Sequence, residues 1–166
     1  MDRIIGGIKM SKFIAYCDGG CRGNQEKDNV GGWGVAISYG THKHEIRGGK
    51  IGTTNNQMEI QAVISALKSV RGAGHIEMEI YCDSAYVVNC MNQGWMLNWI
   101  RNGWKNSKKE PVKNKDLWLE LNKLVNERRC TPKFFKVKGH SGVELNERAD
   151  QLANEAMDEI QANLVT

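Results

Sequence analysis

Two short apolar runs in this chain end the same way, on a cysteine followed by an aspartate. They are Tyr16-Cys17-Asp18-Gly19-Gly20 and Ile80-Tyr81-Cys82-Asp83-Ser84. Alternation along a strand sends Cys17 and Asp18 to opposite faces, and Cys82 and Asp83 likewise. The cysteines then turn to a core, and both aspartates stand at C-terminal strand ends. Between the two runs lies the clearest helical pattern in the chain, "TTNNQMEIQAVISALKSV", with Ile60, Val63, Ala66, Leu67 and Val70 at helical spacing. Strands joined through a crossover helix run parallel, and ligands in such sheets gather beyond the carboxyl ends of the strands. If the two runs are neighbours, the two carboxylates converge.

The rest of the pattern completes one expected domain over residues 1–166. Residues 12–18 read as a strand, followed by a polar, glycine-rich turn, "GGCRGNQEKDNVGG". "WGVAISYG" and "THKHEIRGGKIG" read as two further strands of an antiparallel meander. "HIEMEIYCD" alternates as a strand, and "SAYVVNCMNQG" reads as a short helix. Residues 95–114 read as irregular with helical pieces. "KDLWLELNKLVNERR", "TPKFFKVKG" and "LNERADQLANEAMDEIQ" then read as helix, strand and helix. The expected class is α/β: one mixed five-stranded sheet, a three-strand antiparallel meander plus two parallel strands, with helices on both faces. Residues 1–11 fit no element and are expected to form a flexible N-terminal tail, with Met10 a candidate start.

Hydrophobic content of 40% and charged content of 25% are those of a globular protein. No apolar run approaches the ~18 residues of a membrane span, so no membrane association is expected. The N-terminal "MDRIIGGIKM" lacks the apolar core of a secretion signal, and a cytoplasmic location is expected. The five cysteines, an odd number without close second pairs, are expected to be reduced thiols rather than a zinc site. The net charge of +4 is modest, but its distribution is uneven. Arg101, Lys105, Lys108, Lys109, Lys113 and Lys115 crowd one stretch against a single acid, Glu110, beside Trp95, Trp99 and Trp104. Cations interleaved with aromatic rings suit either a solvated face or a nucleic-acid contact surface.

Two further acids stand out. Glu59 shares a helical stripe with Val63, Ala66 and Val70, and Asp150 flanks the apolar positions Ala149, Leu152 and Ala153. Taken singly, each also reads as an ordinary helix acid. Two like charges ~4 Å apart at an effective dielectric near 20 repel by about 4 kcal/mol, so a shared site calls for a multivalent cation. All-oxygen ligation favours Mg²⁺ or Mn²⁺, and a pair of such ions suits in-line phosphoryl chemistry.

In order along the chain, "YCDGG", "TTNNQME", "YCDS", "VKGHSG" and "NERADQLA" resemble type 1 ribonuclease H over roughly residues 12–160. "NGWKNSKKEPVKNKDLW" resembles the basic protrusion of that family. The resemblance implies a ribonuclease H-like fold and hydrolysis of the RNA strand of RNA–DNA hybrids to 5′-phosphate and 3′-hydroxyl ends. It implies Asp18, Glu59, Asp83 and Asp150 as carboxylates holding two Mg²⁺ ions, with Mn²⁺ able to substitute. His140 matches the loop histidine, with a proton-shuttling or product-clearing role. Asn24, Asn55, Asn56 and Gln57 match positions that contact the hybrid. Thr54, Ser84 and Asn114 match those that cradle a phosphate of the DNA strand, and Trp99, Lys105, Lys108 and Lys109 belong to the gripping protrusion. The implied partner is the hybrid duplex, with a monomer expected and no obligate protein partner. "GNQEKDNVGGWG" is longer than the short glycine-proline turn usual in relatives, and Ala85 stands where glutamine is common. The competing readings are a DNA nuclease or resolvase of related fold and a hybrid-binding module without activity.

Overall fold

The computed structural model describes residues 3–5, 8–10, 12–23, 28–70, 75–127, 130–137 and 143–165. Strands β1 (Arg3–Ile5) and β2 (Ile8–Met10) pair only with each other, antiparallel. The main sheet contains β3 (Phe13–Arg22), β4 (Val30–Tyr39), β5 (His42–Ile51), β6 (Ile76–Cys82) and β7 (Cys130–Lys136). Their spatial order is β5-β4-β3-β6-β7. β3 to β5 form the antiparallel meander, while β3, β6 and β7 run parallel. This is the class the sequence implies.

Two features of the strands differ from the sequence reading. β1 and β2 form paired strands within residues 3–10, where the sequence reading finds no element, because the backbone groups of this short segment pair with one another. β3 does not stop at Asp18 but continues to Arg22. Its parallel ladder with β6 ends at Cys17 and Cys82, whereas its antiparallel ladder with β4 runs on to Arg22 and Val30. Half of the glycine-rich stretch that reads as a long turn, residues 19–22 and 30–32, is therefore ladder. Gly19 and Gly32 serve close helix approach there, whereas Gly23 takes a positive φ just past the ladder.

The helices are α1 (Asn55–Ser69), α2 (Ala85–Asn92), α3 (Trp95–Arg101), α4 (Lys115–Glu127) and α5 (Glu144–Val165). Thr54 caps α1: its hydroxyl accepts the Gln57 N–H at 3.1 Å, satisfying one of the free first-turn donors. The buried stripe of α1 packs Ile60, Val63, Ile64 and Leu67 against Ala15, Cys17, Val35, Ile80 and Cys82 of one sheet face. Trp118 of α4 is fully buried behind them, its indole N–H donating to the Tyr86 hydroxyl at 3.3 Å. α5 covers the other face of β3, β4 and β5 through Ala149, Leu152, Ala153 and Ala156. Arginines moor it there. Arg22 donates to Asp158 at 2.6 Å, Arg47 pairs with Glu155 and Glu159, and Arg148 donates to Glu45 at 2.6 Å. Across β3, β6 and β7, Tyr16, Tyr81 and Phe135 stack in line at 4.8 and 5.1 Å.

The five cysteines are free. Cys17 and Cys82 face the core side by side, as alternation requires, and the hydrogen bond between them and burial together push the Cys82 thiol up. No helix among the described residues is long and apolar enough to cross a membrane.

Candidate active site

Asp18 stands where β6 leaves the sheet, directly opposite Gly34 in the β3–β4 ladder. Two glycines let helices reach it from both faces. A Cβ at Gly19 would lie 2.6 Å from the Glu59 nitrogen, so the backbone of α1 rests directly on the strand and carries Glu59 alongside. A Cβ at Gly34 would meet the Ala149 carbonyl and lie 2.8 Å from the Ala153 nitrogen, so α5 comes equally close and delivers Asp150. Asp83 follows the last residue of β6.

The four acids are half-buried and interact. Burial raises the Asp18 carboxyl well above the ordinary carboxylate range, and the charge of Asp83 and a hydrogen bond with Asp150 raise it further. That bond favours the protonated form of Asp18, whose O–H would donate it, while the Gly19 N–H acts in the opposite sense. Burial also lifts Glu59, to about 7, against a hydrogen bond from the Ser84 hydroxyl and with the charge of Asp83. Ser84 precedes α2 but does not cap it, its hydroxyl being turned to Glu59 instead.

The donor set is all oxygen, and none of the four acids forms an ion pair with lysine or arginine among the described residues. That chemistry fits a hard divalent cation. Among the described residues no three acidic, histidine or cysteine side chains form a ready-made ligating group, so the acids meet in interacting pairs.

The other sequence candidates fall into two groups. Thr54, Asn55, Asn56 and Gln57 open α1, with Asn55 and Asn56 exposed. Gln57 Nε2 donates to Asn114 Oδ1 at 3.3 Å, and Asn114 Nδ2 reaches the Tyr86 hydroxyl at 3.5 Å, so the start of α1 and the base of the basic segment are joined. That base is a built turn. Asn106 Oδ1 accepts the N–H groups of Lys108 and Glu110 at 2.9 and 3.0 Å, presenting Lys105, Lys108 and Lys109 to solvent. Trp99, half-buried, packs its ring among Trp95, Trp104 and Trp118 at 5.9–6.3 Å. Lys115 lies over the Trp104 ring. Asn24 and His140 lie outside the described residues. Sequence reasoning missed Gly34 and Asn29. The first shows its role only when α5 is in place, and the second sits inside what reads as a featureless polar turn.

The sequence pattern of the family described as RNase H matches residues 10–158. A ribonuclease H of Clostridium botulinum (strain Hall) is 50% identical over 150 residues, covering 90% of this chain and 98% of that protein. One from Syntrophomonas wolfei is 51% identical over 148 residues, covering 89% and 97%. Among solved structures, LC9-RNase H1, described as a type 1 RNase H with the type 2 active-site motif, superposes with a TM-score of 0.76 at 28% identity, covering 92% of this chain and 74% of that one. LC11-RNase H1 in complex with RNA/DNA hybrid gives 0.67 at 30% identity, covering 90% and 99%. Matched in fold and over nearly its whole length, the chain belongs to the ribonuclease H family of hydrolases, in its type 1 branch.

Proposed function

We propose that the chain is a divalent-metal-dependent endoribonuclease that cleaves the RNA strand of RNA–DNA hybrids, leaving 5′-phosphate and 3′-hydroxyl ends. The observation that carries this reading is a series of interacting acids from separate elements, Asp18 with Asp83 and Asp150, and Glu59 with Asp83, with no ion pair to lysine or arginine among the described side chains. Such a cluster stays ionised at neutral pH only if positive charge is supplied to it. Asp18, Glu59, Asp83 and Asp150 are the residues that would hold Mg²⁺, two ions per site, with Mn²⁺ as substitute. When bound there, the ions supply an activated water and a stabilised leaving oxygen.

The chain's own groups do the rest. Gly19 and Gly34 let the two helices hold Glu59 and Asp150 beside Asp18. Ser84 donates to Glu59 and keeps that carboxylate oriented. Asn24, Asn55, Asn56 and Gln57 contact the hybrid, where donors and acceptors distinguish a 2′-hydroxyl from its absence. Thr54, Ser84 and Asn114 cradle a DNA-strand phosphate. Trp99, Lys105, Lys108 and Lys109 form the gripping face, the lysines adding sequence-independent, salt-sensitive affinity. His140 accepts and returns a proton or assists product departure, histidine being the side chain whose charge most readily changes near neutrality. The enzyme acts as a cytoplasmic monomer.

The test offers labelled RNA–DNA hybrid, duplex RNA and duplex DNA to the enzyme with Mg²⁺, Mn²⁺ or a chelator. The expected result is cleavage of the hybrid's RNA strand alone, lost with chelator and with Asp18→Asn. Comparable cutting of duplex DNA would place the chain among the DNA nucleases of this fold, and hybrid binding without any cutting would make it a binding module.

A further inference from the structure

Asn29 closes the long loop between β3 and β4, just before Val30, and is buried. Its side chain grips the main chain of Thr53 at two points. Nδ2 donates to the Thr53 carbonyl at 2.9 Å, and Oδ1 accepts the Thr53 N–H at 3.0 Å. Its own carbonyl accepts the Gly52 N–H at 2.9 Å. A turn-making asparagine bonds its own neighbours within two residues. This one bonds a segment 24 positions further on.

Thr53 passes the restraint on. It is buried, with its methyl group lying against Gly31. Its hydroxyl donates to Gln57 Oε1 at 2.8 Å, and Gln57 Nε2 donates in turn to Asn114 Oδ1. A continuous hydrogen-bonded path thus joins the β3–β4 loop, the start of α1 and the base of the basic protrusion. On the hybrid reading above, these are the segments that face the substrate. None of the four carboxylates lies on the path.

We infer that Asn29 is a positioning residue for the hybrid. It fixes where Thr54, Asn55, Asn56 and Gln57 stand above the sheet, so that the groups meeting the nucleic acid are ordered before it arrives. The exposed Asn55 and Asn56 extend into solvent, and a clamp one residue ahead of their helix cap removes the freedom they would otherwise lose on binding. Asn29 supplies this restraint through side-chain hydrogen bonds rather than through a covalent one such as proline's. The inference rests on the proposed hybrid substrate and goes beyond it by naming the group that orders the contact segment.

The experiment compares KM and kcat for hybrid cleavage in Mg²⁺ for the parent chain, Asn29→Ala, Thr53→Val and Leu124→Ala. Asn29→Ala should raise KM about ten-fold, the scale of one lost buried polar bond, with kcat within two-fold. Thr53→Val keeps the clamp and the side-chain shape but cuts the step to Gln57; it should raise KM about three-fold. Leu124→Ala opens the core in α4, away from the path, and should lower Tm without moving KM. If Asn29→Ala and Thr53→Val leave KM where Leu124→Ala leaves it, or lower kcat instead, the positioning role is overturned and the hybrid reading stands. Should Asn29→Ala fail to fold, the Thr53→Val result decides on the same terms. A parent chain that does not cut hybrid sinks both.

Discussion

Gly34 faces Asp18 across the β3–β4 ladder, and α5 touches the sheet at that glycine, bringing Asp150 within hydrogen-bonding reach of Asp18. Gly34→Ala is expected to push α5 outward and separate the two carboxylates. Overpacking of this kind costs about 1–3 kcal/mol of stability, and a shift of about 1 Å at a reacting centre lowers turnover on the order of a hundredfold. Chemical denaturation and single-turnover cleavage measure the two effects; an unchanged cleavage rate would show that α5 has slack at this point.

Asp18→Asn removes the most strongly perturbed acid of the cluster. The amide relieves repulsion from Asp83 and needs no charge buried. Without added metal, the variant should unfold at a higher temperature than the parent, by about 1–2 kcal/mol in stability, while losing hybrid cleavage. A variant no more stable than the parent would mean that Asp18 bears little strain in the fold.

A pH dependence follows from the same groups, with a definite sign. Asp18 and Glu59 have folded pKa values raised above their unfolded ones, so the native state binds their protons more tightly. Their stabilising contribution is complete below the unfolded values near 4 and is lost as pH rises through the folded ones, about 7 for Glu59. In chelator, stability is expected to fall between about pH 4.5 and pH 8, by on the order of 2 kcal/mol after allowance for solvent screening. Mg²⁺ added at pH 8 should restore it. Urea titrations of the parent and of an Asp18→Asn, Glu59→Gln pair give the check, since the double variant should show a flatter profile.

The lysines of the protrusion act differently from the acids. Replacing Lys105, Lys108 and Lys109 together by alanine should weaken hybrid binding and reduce the slope of log affinity against log salt by about 2–3. Anisotropy titrations at several salt concentrations measure that slope. An unaltered slope would remove these lysines from the contact surface.

Thiol chemistry tests the packing beneath the site. Cys17, Cys82, Cys90 and Cys130 are buried, and Cys21 is the most accessible of the five. An aromatic disulfide reagent should modify no more than one thiol quickly in the native protein and all five in denaturant. Rapid modification of a second thiol would show that the core under Asp18 and Asp83 opens readily.

Much of this arrangement is legible in the residues themselves. The alternation of Ile76 to Cys82 predicts a strand with one buried face, and the stripe from Ile60 to Val70 predicts α1; both are found. The Cys-Asp pairs send two carboxylates to one side of neighbouring strands, Asp18 within β3 and Asp83 just past β6, because side-chain direction alternates whatever surrounds the strand. The far end of β3 was not legible. Gly19 and Gly20 carry turn composition, and only the helix lying against the sheet shows that Gly19 serves close contact there. Asn29 was invisible for a related reason: a local pattern does not report a partner twenty-four positions away. α3 is one of the helical pieces expected in residues 95–114, but its bounds were not legible because Trp95 to Arg101 mixes exposed apolar and buried positions in barely two turns.

The departure of β6 from β3 at Cys82 has one more consequence. Beyond that point, among the described residues, the β6-facing edge of β3 has no strand beside it, and the main chain next to Asp18 is left to the successors of β6. Had the pairing run two residues longer, the peptide groups of β6 would fill the space that Asp83 and Ser84 now enter. The acids therefore gather at a gap in the weave of the sheet, which a longer β6 would close.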